Sequence, residues 1–75
     1  MSHPYQPPKA PSGDSPYWRR ITPSNMPPID VLVWTKIHDD LGPRNVARLR
    51  WGGKCLWFCE DGTYVYYTPT HFWSL

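Results

Sequence analysis

Eight of the ten prolines in this 75-residue chain fall within residues 1–28, and that asymmetry limits the fold more than any other feature. Proline removes a backbone donor and pushes the residue before it toward extended geometry, so the first third cannot be helix or central strand. Gly, Ser, Asn and Gln supply much of the remainder there, which leaves too little apolar mass to offset the entropy of ordering. The reading is a flexible, polyproline-II-like arm over 1–28, disordered at least over 1–15, followed by a small domain over 29–75. Lys9, Arg19 and Arg20 against Asp14 give the arm a net charge of +2, whereas five basic and five acidic residues cancel in 30–75.

Past residue 28 the pattern is that of strands. Asp30–Ile37 is β-branched and apolar, between Pro27-Pro28 and the polar loop His38–Pro43. Asn45–Trp51 alternates, with Ala47, Leu49 and Trp51 on one face and Arg48 and Arg50 on the other. A short helix over 43–51 is the alternative, because Ala, Arg and Leu are good helix formers. Gly52-Gly53 predicts a tight hairpin turn, Lys54–Cys59 the returning strand, and Glu60-Asp61-Gly62 a second turn. Thr63–Thr68 is a third β-rich run before Pro69, and Thr70–Trp73 closes the chain as a short edge strand. The expected fold is therefore mainly β, an antiparallel meander of four to five strands. Its expected core is Val33, Leu49, Trp51, Leu56, Trp57 and Val65.

Aromatics make up 16% of the chain, enough to decide how so short a sequence reaches stability. Each large ring removes on the order of 150–250 Å² from water when buried. Two cysteines are too few for a disulfide scaffold or a four-cysteine zinc site. Cys55 and Cys59, four apart on a strand, would stand about 13 Å apart, too far to share a metal with His38 or His71. They read as small hydrophobes, and no metal or cofactor is expected. No apolar run reaches the roughly 18 residues of a membrane span, and the N-terminus has no signal-peptide core. A soluble monomer in the cytoplasm is the expectation.

No nucleophile elbow, Ser–His–acid set or glycine-rich phosphate loop is present, and Asp39-Asp40 and Glu60-Asp61 sit where turns need acceptors. The sequence thus points to binding, not catalysis. Two surfaces qualify. One is the arm, where Lys9, Tyr17, Trp18, Arg19 and Arg20 supply the residue types enriched at interface hot spots; Trp18 either staples to the domain or seats in a partner. The other is the outer sheet face, where Arg48, Arg50, Lys54, Tyr64 and Tyr66 suit single-stranded nucleic acid.

The run Val31-Leu32-Val33-Trp34, with Trp51-Gly52, Leu56-Trp57 and Pro69-Thr70-His71-Phe72-Trp73, resembles a small family of phage and prophage domains carrying a "VLV…W…THW" pattern. Phe72, standing between His71 and Trp73, departs from that pattern. The resemblance implies a phage origin, a small β-rich fold and no enzymatic activity. In size and in its basic proline-rich arm the chain is also similar to small phage transcription regulators of the Xanthomonas-phage type, which bind host RNA polymerase. That likeness implies a regulator of host transcription; a virion component and an inhibitor of host defence are further expectations.

Overall fold

β-Branched and aromatic residues set the strands, and glycines with two tolerant polar residues set the turns between them. The computed structural model describes residues 6–74 and contains five strands with no helix among them. They are β1 (Trp18–Arg20), β2 (Leu32–Asp39), β3 (Gly42–Trp51), β4 (Trp57–Cys59) and β5 (His71–Trp73), all antiparallel in one open sheet of order β1-β5-β2-β3-β4. β2, β3 and β4 form the expected meander. The chain then returns so that β5 lies beside β2, which gives four of the strands a Greek-key order. The fold class read from the sequence is the one observed. Among the described residues no helix is long and apolar enough to cross a membrane.

The β2–β3 hairpin turns at Asp40-Leu41, where Gly42 adopts the left-handed conformation at φ 90°. Asp39 Oδ1 accepts the Leu41 N–H at 3.0 Å and a hydrogen bond from Arg44 at 2.6 Å. The Arg44 guanidinium holds the Asp39 carboxyl down at about 2. Further along, Asn45 and Val46 stand opposite the single residue Lys36, with Asn45 at φ 54°. This is a β-bulge, and an asparagine tolerates the left-handed position. The alternation read for 47–51 then holds, with Val33 opposite Leu49 and Trp34 opposite Arg48. The helix alternative over 43–51 is corrected: paired β2 and β4 edges on either side bind its backbone groups, and propensity yields to tertiary context.

Three expectations near the β3–β4 connection are also corrected. The turn is not the two residues Gly52-Gly53 but the loop 52–56, with the positive φ values at Gly53 and Lys54. The Trp51 indole donates to Lys54 O at 3.0 Å and Gly52 N–H to Leu56 O at 2.9 Å, which stabilises the wider loop. β4 is therefore three residues long, and Leu56 is exposed and not in the core. The run Thr63–Thr68 forms no strand, because so short a β4 offers little edge. It makes one bridge, Phe58 to Tyr64, with two backbone bonds, Cys59 N–H to Thr63 O at 2.6 Å and Val65 N–H to Trp57 O at 3.0 Å.

Register divides the sheet into two faces. Val33, Thr35, Leu49, Trp57 and Phe72 share one face and are buried. Trp34, Lys36, Arg48, Arg50, Phe58, His71, Trp73 and Trp18 share the other. Of the expected core, Val33, Leu49 and Trp57 are buried, Trp51 and Val65 half-buried. The core gains Trp18, Phe72 and Trp73, with the Trp18 and Trp73 rings edge to face at 5.4 Å. The sheet thus takes one strand from the segment read as an arm. Trp18–Arg20 gives up its expected freedom because β5 offers an open edge and Trp73 a ring to pack on. The disorder expected for 1–15 falls, at 1–5, outside the described residues; residues 6–15 are coil laid across the second face.

Candidate nucleic-acid interface

The second face has a covered part and an open part. At the open end, Arg50 of β3 stands opposite Phe58 of β4, and the bridge from Phe58 continues the row to Tyr64. Phe58 and Tyr64 meet edge to face with centroids 6.5 Å apart, and Tyr64 and Tyr66 lie 4.9 Å apart. Tyr64 is 50% exposed and Tyr66 90% exposed, so both rings face water. Large apolar rings left in water are the informative exception in a chain this short of core. The loop carrying exposed Lys54 borders the platform, for a Cβ at Gly52 would drive into the Phe58 ring.

Turn chemistry holds the platform in place. Asp61 Oδ1 accepts from Thr63 N–H at 3.0 Å and Thr63 Oγ1 at 2.7 Å, and these bonds lower the Asp61 carboxyl below its ordinary value. Gly62, at φ 93°, closes the turn. Asp61 and Asp39 thus act as local acceptors. Arg50 donates to the Glu60 carbonyl at 3.5 Å, while its Nε has no partner among the described residues.

The five residues expected on this face are not equally available. Arg50, Lys54, Tyr64 and Tyr66 surround the open end. Arg48 is engaged elsewhere: its guanidinium lies 4.9 Å over the Trp34 ring, pairs with Glu60 at 3.6 Å and reaches the Pro7 carbonyl at 3.4 Å. Phe58, which the alternation left inside the returning strand, joins the platform; its place opposite Arg50 was readable only once the hairpin length was known.

The arm residues separate. Trp18 is buried and donates its indole N–H to Ser12 O at 2.8 Å. Tyr17 is exposed but its ring lies 5.6 Å from that of Trp73. Arg19 and Arg20 are exposed on opposite faces of β1, because successive strand residues alternate, and so do not form one charged pair. Lys9 is exposed on the coil. Cys55 is exposed in its loop and Cys59 half-buried, and no group of three metal-ligating side chains occurs among the described residues.

A polar cluster that the sequence reading missed lies at the β1–β5–β2 end. Lys36, 3% exposed, donates to Gly13 O at 2.6 Å, contacts His38 Nδ1 at 2.8 Å and sits 5.2 Å from the Trp18 ring centre. Burial lowers its pKa, opposed by Asp14. His71 bonds Thr70 at 2.7 Å, and burial together with Lys36, Arg20 and His38 depresses its pKa. A lysine in a strand ordinarily signals solvent; here the bulge gave no sequence warning. Comparisons with protein-family models, with curated proteins and with solved structures find no match.

Proposed function

We propose that this chain is a non-enzymatic binding protein whose open sheet end holds single-stranded nucleic acid. One observation carries the reading: Tyr64 and Tyr66 are exposed rings 4.9 Å apart, beside Phe58 and its cross-strand neighbour Arg50. Base stacking on such rings tolerates any sequence and contributes about 1–3 kcal/mol per base. Arg50 and Lys54 supply the phosphate contacts, which make affinity fall with salt. Fluorescence anisotropy with a labelled oligothymidylate at low salt tests this. Tyr64→Ala/Tyr66→Ala is expected to weaken binding by at least about tenfold, from those stacking energies. Arg50→Glu with Lys54→Glu is expected to flatten the salt dependence. Micromolar binding unchanged in both variants, or none by the parent protein, refutes the proposal.

A second reading, a phage regulator docking on host RNA polymerase, is favoured by Tyr17, Arg19 and Arg20, exposed along the β1 edge, with Lys9 exposed on the coil. The two arginines form no salt bridge among the described residues. Capture of the polymerase from host lysate, lost on Arg19→Glu/Arg20→Glu, supports it; unchanged capture removes these residues from the contact.

A further inference from the structure

The covered part of the second face has the chemistry of a peptide site. Residues 6–13 read Gln-Pro-Pro-Lys-Ala-Pro-Ser-Gly, with a P-x-x-P spacing from Pro8 to Pro11. Among the described residues no backbone-to-backbone hydrogen bond joins this stretch to a strand. Side chains of the sheet hold it instead. Trp34 Nε1 donates to Pro7 O at 2.7 Å, Trp18 Nε1 to Ser12 O at 2.8 Å, and Lys36 Nζ to Gly13 O at 2.6 Å. Arg48 adds longer bonds to the Pro7 and Pro8 carbonyls at 3.4 and 3.5 Å. The side-chain amide of Gln6 inserts where the β2–β5 ladder stops, accepting from Trp34 N–H at 2.7 Å and donating to Trp73 O at 3.0 Å.

Every one of those sheet donors is on an element that pairs without the strap. A proline-rich segment has carbonyls with no internal donors, so indole N–H groups beside flat ring surfaces are the groups that recognise it. The strap also leaves the face incompletely used. Trp73, 7% exposed, has an indole N–H with no partner among the described residues, and Arg48 Nε is likewise unsatisfied. Buried donors without partners are rare in folded proteins, so each calls for an explanation, and carbonyls that the strap does not present are one.

We propose that this face is a binding groove for proline-rich peptides, and that residues 6–13 occupy it as an exchangeable internal ligand. A segment tethered this closely competes at an effective concentration of roughly millimolar, so a peptide in trans must reach that level or meet a weakened strap. The groove is independent of the nucleic-acid reading, since its donors point at peptide carbonyls and the tyrosine platform lies beyond Arg50.

The test uses the full chain and a synthetic peptide of residues 6–13, followed by the indole N–H signals of Trp34 and Trp18 in NMR spectra. In Gln6→Ala/Pro7→Gly/Pro8→Gly, which loosens the strap, the peptide is expected to bind at least tenfold more tightly than to the parent chain. Adding Trp34→Phe to that variant keeps a ring and removes the donor, and is expected to lower affinity at least tenfold. If the loosened variant does not fold, the parent chain decides alone: shifts of both indole signals as peptide passes into the millimolar range support the groove. Absence of those shifts at roughly ten times the tether's effective concentration overturns it. Equal binding of a peptide with its prolines replaced by alanine overturns it as well.

Discussion

Gln6→Ala is the substitution that most sharply separates a strapped fold from a free arm. A residue six positions from the start of a proline-rich coil has no expected effect on stability. In the structure its amide closes two backbone groups at the end of the β2–β5 ladder, the Trp34 N–H and the Trp73 carbonyl. Removing it orphans both, at about 1–3 kcal/mol for each fully buried group. Both bonds are only part-buried, so water recovers some of that loss and a total near 2 kcal/mol is reasonable. For a domain of this size each kcal/mol moves the midpoint by about 4–8 °C, so Tm should fall by roughly 10 °C. Gln6→Glu keeps an acceptor for Trp34 but replaces the donor with an oxygen facing the Trp73 carbonyl, and is expected to fall at least as far. Lys9→Ala, exposed on the same segment, should stay within about 0.5 kcal/mol of the parent. Thermal unfolding followed by circular dichroism and Trp fluorescence measures all three. A Gln6→Ala midpoint within about 1–2 °C of the parent would mean that the amide bridge does not persist in solution and that the coil is an arm after all.

The remaining expectations are brief. Trp57→Ala, at a ring 1% exposed, should cost about 3–5 kcal/mol and leave little or no folded protein, whereas Trp51→Ala, half-buried, should cost less; denaturant midpoints rank them. His71 has its pKa held below the ordinary imidazole value by burial and by Lys36, Arg20 and His38, so the unfolded chain takes up protons first. Its contribution is therefore complete above the unfolded pKa of about 6.5 and is lost as pH falls through the lower folded value. Tm should drop between about pH 7 and 5, and His71→Gln should flatten that slope, although Thr70, bonded to the ring, must find a new partner. EDTA should leave the dispersed amide signals unchanged, since Cys55 and Cys59 are expected to need no metal; their collapse would expose a zinc site.

Strand positions were readable where the alternation was strict. Val33, Leu49 and Trp57 recur at the buried face because a period of two leaves an antiparallel strand no other way to hide them. Asp61-Gly62 and Gly42 marked turns for the same reason, as positions that accept a left-handed residue or supply a local acceptor. Loop length was not readable: Gly52-Gly53 suggested the tightest hairpin, and the Trp51-to-Lys54 and Gly52-to-Leu56 bonds hold a wider loop. Lys36 was hidden by a bulge on the opposite strand, whereas the stapling of Trp18 to the domain was one of two readings that its proline-rich surroundings left open. Of the two candidate sites, Arg50 followed from strand alternation, the outward tyrosines were expected from a strand that does not form, and Phe58 and the engagement of Arg48 depend on contacts between segments far apart in sequence.

The proline-rich third of the chain then has a physical explanation. An apolar sheet face must be covered by another layer, and part of the second face carries Trp18, Trp34 and Trp73. This chain has no helix among its described residues to serve as that layer, and at 75 residues it has none to spare. Coil can cover a sheet only if its carbonyls find donors, because buried backbone polar groups left unpaired are costly. Prolines reduce the number of N–H groups a covering coil must satisfy, and Trp18, Trp34, Lys36 and Arg48 provide donors for the carbonyls that remain. The unusual placing of two tryptophans, a lysine and an arginine on one sheet face thus follows from the composition of the segment that lies over them. A cover held by side-chain donors, not by a ladder, is also one that another proline-rich segment can replace, whereas the Tyr64–Tyr66 end has no cover and stays open to a different ligand.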